Sequence, residues 1–155
     1  LVHEHHISEW LYIIGKGKDE AQLKQLAKTL QVADKVVFLG FQPTPLPWIS
    51  HCKIFVHSAK FEGLPTVLIE ALLLDKLIVA TDCPTGPREI LDHGRCGLLT
   101  PVGDAPAFAA AVLQLLNDKS LQQRLLSAAE EQKKIFTFAH IDRQLHALFL
   151  GETMY

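Results

Sequence analysis

Charge of one sign, paired cysteines and long apolar runs are all missing from this sequence, and each gap closes a class of function. Fifteen Lys and Arg stand against seventeen Asp and Glu, for a net charge of −2. A nucleic-acid-binding domain needs a basic face for the phosphates, and this chain has no material for one. Cys52, Cys83 and Cys96 are odd in number, far apart and without a C-x-x-C pair. That argues against a disulfide framework or a zinc site and makes the cytoplasm the default compartment. Every apolar run is strand-length or broken by charge, so no segment is read as spanning a bilayer. The start shows no charged n-region leading into an apolar h-region, so no secretory signal is read there. What is present is ordinary: 155 residues, 48% apolar and 21% charged, enough for one good core in one domain.

Apolar runs mark the elements. Leu11–Ile14 ends at Gly15-Lys16-Gly17 and reads as a buried strand followed by a turn. Leu23, Leu26, Ala27 and Leu30 have helical spacing. Val36–Leu39, stopped by Gly40, is the next strand, and Pro43, Pro45 and Pro47 stiffen the loop that precedes a short helix through Trp48 and Ile49. Ile54–Val56, Leu77–Ala80 and Gly97–Leu99 predict three more strands, with helices at Thr66–Leu74 and from Pro87. The remainder is helical, one face lined by Phe108, Val112, Leu115 and Leu116, a second opened by Leu121, Leu125 and Leu126, and a third lined by Phe138, Ile141, Leu145, Leu148 and Phe149. Strands alternating with helices, and strands apolar nearly throughout, imply an α/β domain with an open parallel sheet covered by helices on both faces. Such sheets bind ligands at the carboxyl ends of their strands. The domain is expected over 11–150, with 1–10 a tail or the cut end of a longer protein and 151–155 a second tail.

The unusual residues do fall just after strands. Phe61-Glu62-Gly63-Leu64-Pro65-Thr66-Val67-Leu68-Ile69-Glu70-Ala71-Leu72 follows the third strand through His57-Ser58-Ala59-Lys60. Gly63 lets the backbone approach a ligand, and Pro65 opens a helix whose free amides and dipole suit a phosphate or a polar sugar. Glu70 stands about 7–8 Å along that helix, so Glu62 and Glu70 are placed to hold two parts of one extended ligand. Carboxylates accept well from hydroxyl pairs, and a nucleotide sugar has hydroxyls at both ends with phosphates between. Glu70 lies among Leu68, Ile69, Ala71 and Leu72, where a charge needs a partner.

This segment resembles the E-x7-E signature, in the form E-G-L-P-x-x-x-x-E-A, of retaining GT-B glycosyltransferases of family four. The likeness runs from the first strand to about Phe149 and matches the Rossmann-like, donor-binding half of a GT-B fold. The resemblance implies that Glu62, the catalytic candidate, bonds the donor sugar. It implies that Gly63, Leu64, Pro65 and Thr66 face sugar and diphosphate, and that Glu70 bonds the ribose. It further implies no metal and no cofactor, the nucleotide diphosphate sugar being a substrate, UDP first by family frequency. An acceptor-binding N-terminal domain belongs to the whole enzyme, with peripheral membrane association a further expectation; the 155 residues alone are expected to be inactive.

Three further stretches fit that resemblance. Thr81-Asp82-Cys83-Pro84-Thr85-Gly86-Pro87-Arg88-Glu89-Ile90 begins a helix with Gly86 as N-cap and Pro87 next. Its Pro-Thr-Gly-Pro-Arg form resembles transferases of bacterial surface polysaccharide and lipopolysaccharide. Arg88 suits a phosphate or a plain surface position equally. Gly15-Lys16-Gly17 resembles the glycine turn beside the diphosphate, although a simple turn explains it too, and Lys16 and Lys18 read as solvated. Gly40-Phe41-Gln42 matches the loop against the base, with Phe41 read slightly more readily as core-edge packing. His57 is read as a satisfied buried histidine, and His3, Glu4, His5 and His6 as part of a tail. The competing readings are a non-catalytic nucleotide-sugar-binding module, a GT-B epimerase-related domain, and a flavodoxin-like receiver. A receiver wants acids where Gly15-Lys16-Gly17 stands.

Overall fold

The structure, a computed structural model, describes residues 7–150. His3, Glu4, His5 and His6 and the expected tail at 151–155 lie outside the described residues, and 7–10 carry neither helix nor strand. The chain divides into two compact units, Leu1–Pro47 and Trp48–Tyr155.

In the first unit β1 (Leu11–Ile14) and β2 (Val36–Gly40) pair in parallel, joined through α1 (Glu20–Thr29). A parallel pair needs such a crossover, since no tight turn can bring the chain back in the same direction. The expected strands and helix all form, but the expectation of burial does not hold here. Leu11, Tyr12, Ile14, Leu23, Leu26 and Leu30 are exposed, and Ala27 is the buried apolar residue of α1. Two strands and one helix leave faces that nothing in the unit covers.

The second unit is a different case. α2 (Leu46–His51) crosses the boundary and is followed by β3 (Ile54–His57), α3 (Thr66–Leu73), β4 (Leu77–Thr81), α4 (Pro87–Ile90) and β5 (Leu98–Thr100). The helices α5 (Ala105–Asn117), α6 (Lys119–Lys134) and α7 (Phe138–Leu150) follow. The three strands form a parallel sheet in the order β3-β4-β5. β4 lies between two neighbours and is buried along its whole length. Its alternating side chains feed two cores. Ile78 and Ala80 pack with Leu68, Ala71 and Leu72 of α3, Ile90 of α4 and Leu91 just after it, and Ala129 of α6. Leu77 and Val79 pack with Ala111 and Leu115 of α5 and Leu121 and Leu125 of α6. Helices therefore cover both faces of this sheet, as the continuous apolar run required. Each fully buried Leu or Ile contributes about 1.5–3 kcal/mol relative to an exposed one.

α7 keeps the expected period, and its apolar residues are exposed. Phe138 and Phe149 are each 83% exposed, and Ile141, Leu145 and Leu148 are exposed as well. Among the described residues no helix is long and apolar enough to cross a membrane. Cys83 and Cys96 are buried and Cys52 half-buried, all three as free thiols.

Candidate functional site

The strand ends of the second unit gather the residues that sequence reasoning selected there. β3 ends at His57, and the loop to α3 carries Glu62, Gly63, Leu64 and Pro65. β4 ends at Thr81, and the loop to α4 carries Asp82, Thr85 and Gly86. Because β3 and β4 are adjacent and parallel, both loops emerge at the same edge of the sheet. Thr81, buried at the end of β4, reaches across: its hydroxyl donates to the Ala59 carbonyl at 2.5 Å. The Thr85 hydroxyl then donates to the Glu62 carbonyl.

Gly86 completes the lock. Its φ is +92°, a region that disfavours any side chain, and a Cβ there would overlap Cδ of Pro65 and lie 3.1 Å from the Gly63 carbonyl. The turn before α4 and the entrance to α3 thus sit backbone against backbone. Gly63 has the opposite character: nothing lies within 4 Å of where its Cβ would point. The main chain at Gly63 is therefore open to close approach.

α3 starts at Thr66 with Pro65 as N-cap, and no side chain caps it. A proline offers no side-chain acceptor; the Leu68 amide donates to the Pro65 carbonyl at 2.9 Å, and no side-chain cap takes the amides of Thr66 and Val67. Glu70 is half-buried in this helix beside buried Leu68, Ala71 and Leu72. Its side chain makes no hydrogen bond or ion pair among the described residues.

Glu62 does have a partner. His57 Nε2 lies 3.2 Å from Glu62 Oε1, with the His57 side chain 13% exposed and that of Glu62 30%. Nδ1 of His57 is buried and has no hydrogen-bond partner among the described residues. The reading of His57 as a satisfied buried histidine is therefore corrected: one ring nitrogen holds an acid and the other holds nothing. Burial pushes its pKa below the ordinary histidine value, against the opposing pull of the Glu62 charge and hydrogen bond.

Arg88 is exposed, in keeping with its reading as a surface residue, and it has a protein partner. Its guanidinium grips Asp82 through two nitrogens, Nε donating to Oδ1 at 3.1 Å and a terminal nitrogen to Oδ2. Asp82 was not selected from the sequence, although it stands only six residues before Arg88. Lys60, Phe61, Asp82, Pro84, Pro101 and Val102 line an open groove of about 700 Å³. The groove adjoins the Glu62 loop through Phe61 without including Glu62 or Glu70. Periodicity gives no signal for such a feature.

In the first unit the selected turns also meet. The Gly15 amide donates to the Gly40 carbonyl at 2.8 Å, and both glycines have positive φ. Gly17 has ordinary φ and open space around it. Phe41 is 65% exposed, so its reading as core-edge packing is corrected. No group of His, Cys, Asp and Glu suited to a metal ion occurs among the described residues.

Residues 2–132 match the family model described as glycosyl transferases group 1. The chain is 31% identical over 141 residues to the N-acetylgalactosamine-N,N'-diacetylbacillosaminyl-diphospho-undecaprenol 4-alpha-N-acetylgalactosaminyltransferase of Campylobacter jejuni. That match covers 91% of this chain and 39% of that protein. It is 33% identical over 122 residues to the lipopolysaccharide core biosynthesis glycosyltransferase LpsE of Rhizobium meliloti, covering 79% and 36%. Among solved structures, Anabaena Alr3699/HepE in complex with UDP superposes with a TM-score of 0.82 at 23% identity, over 92% of this chain and 41% of that one. The chain spans well under half the length of each of these relatives.

Proposed function

The chain belongs to the glycosyl transferases group 1 family, and from that membership we propose that it forms the donor-binding part of a retaining glycosyltransferase that uses a nucleotide diphosphate sugar, UDP-linked before other bases. The observation that carries the reading is the pairing of an uncapped helix entrance with two acids of different standing. The amino end of α3 offers amides beside open space at Gly63, Glu62 is held at its mouth, and Glu70 stands further along the helix without a side-chain partner among the described residues.

The chemistry follows from that layout. Departure of the nucleoside diphosphate builds negative charge on the bridging oxygen, and preorganised amides at a helix entrance stabilise it without reorganising. Glu62 accepts from the sugar hydroxyls and fixes the anomeric carbon for attack. Glu70 accepts from the ribose hydroxyls. Arg88, already neutralised by Asp82, orders the loop and is left out of the diphosphate site. The acceptor is a saccharide or lipid-linked saccharide of a surface polysaccharide or lipopolysaccharide pathway, and the remainder of the whole enzyme holds it at the cytoplasmic side. The relatives named for lipopolysaccharide and undecaprenol-linked acceptors support this class, as does the UDP held by a structural neighbour.

The test is an amide NMR titration with UDP, GDP and ADP to millimolar concentration. Shifts at Gly63, Glu70 and Gly40 are expected, strongest with UDP. Glu70→Gln weakens UDP binding by about tenfold or more, the worth of a hydrogen bond to a charged group. Glu62→Gln leaves UDP binding unchanged and lowers turnover of the whole enzyme. Silence of every site amide toward all three nucleotides would sink the assignment.

A further inference from the structure

We propose that His57 is a positioning residue, whose imidazole holds the Glu62 carboxylate in the one orientation that meets the donor sugar. This rests on the reading of Glu62 as the acid that faces that sugar.

Glu62 is fixed at two points. Its main-chain carbonyl takes the Thr85 hydroxyl, and its side-chain Oε1 lies 3.2 Å from His57 Nε2. The group doing the holding is itself anchored. His57 is the last residue of β3, in register with Ala80 of β4. Its carbonyl lies 3.4 Å from the Thr81 hydroxyl, which also bonds Ala59. A glutamate on a loop is thereby tied to the paired ends of β3 and β4. Positioning of this kind removes rotamer freedom that the ligand would otherwise have to freeze out.

The tautomer follows from the partners. A carboxylate only accepts, so Nε2 carries the proton and Nδ1 is left as the lone-pair nitrogen. Nδ1 is buried with no donor among the described residues to satisfy it. An apolar side chain in the same place would avoid that cost. What histidine supplies in exchange is the one hydrogen bond to Oε1. Burial disfavours the charged imidazolium, against the pull of Glu62. Oε2 and the second lone pair of Oε1 stay available for sugar hydroxyls.

The experiment compares the parent chain with His57→Leu, His57→Gln, Glu62→Gln and a double variant that combines His57→Leu with Glu62→Gln. Affinities are read for UDP and for UDP-glucose or UDP-N-acetylglucosamine, whichever binds the parent more tightly. Thermal unfolding is recorded alongside to establish that each variant folds. The sugar-dependent gain over UDP is expected to fall about tenfold in His57→Leu, with affinity for UDP itself within about twofold of the parent. His57→Gln, whose amide donates from about the same place, restores most of that gain. Adding Glu62→Gln to His57→Leu produces no further loss, because both changes act on one contact. Equal losses for UDP and the nucleotide sugar, a sugar-dependent gain untouched by His57→Leu, or fully additive variants would overturn the positioning role while leaving the donor pocket standing. No binding of UDP by the parent would remove the pocket itself and the inference with it.

Discussion

Four helices of the second unit begin in two different ways. α5 and α6 start with aspartates that close their first turns: Asp104 accepts from the Ala107 amide and Asp118 from the Leu121 amide, both at 2.9 Å. α3 and α4 start with Pro65 and Gly86, and neither has a side-chain cap. A capped start contributes about 1 kcal/mol to stability. The two starts that forgo it are the two that meet at the carboxyl edge of the sheet. At α5 and α6 a side chain takes a first-turn amide; where the loops converge, none does.

That contrast can be attacked at each kind of helix start. The largest effect is expected from Gly86→Ala, which forces a side chain into positive φ and into the Pro65 ring. It should cost about 2–4 kcal/mol from backbone strain and overpacking together, read by urea unfolding. A cost below about 0.5 kcal/mol would mean that the two loops are not locked as described. Next is Thr66→Asp at the first position of α3, where an acid favours the helix dipole. Stability should rise by about 0.3–1 kcal/mol, while UDP affinity falls about tenfold as the new charge opposes the diphosphate. If stability and affinity rose together, the open amides of α3 would have no claim on phosphate. The smallest effect is expected from Asp118→Ala, with a loss of about 1 kcal/mol in stability and UDP titration curves that overlay the parent's.

Much of the fold was legible because apolar period survives in sequence. Leu77–Ala80 read as a buried strand and β4 is one. Leu11–Ile14 has the same kind of run, yet it lies in a two-strand sheet without covers, and its side chains are largely exposed. A run of apolar residues specifies a strand; its burial depends on what else packs against it. α7 repeats the lesson at helical period. At the site, the two acids and the glycine-proline entrance stood out because their spacing is a pattern. The contacts that hold them are not patterned. Thr85 with Glu62, His57 with Glu62 and Arg88 with Asp82 all depend on the path of irregular loops, where no period relates separation in sequence to separation in space.

The three thiols turn the same architecture into a chemical timepiece. Cys83 is buried in the β4–α4 loop, its Sγ 3.7 Å from the Thr85 carbonyl, and Cys96 is buried in the core beneath α4. Alkylation requires an accessible thiolate, so a small reagent can reach these two sulfurs only as the native packing opens. Labelling of Cys83 then clocks how often the loop that braces Glu62 comes loose. Cys96 clocks the core next to it, and Cys52, half-buried with its thiol pKa raised by burial, supplies an internal reference on the same chain.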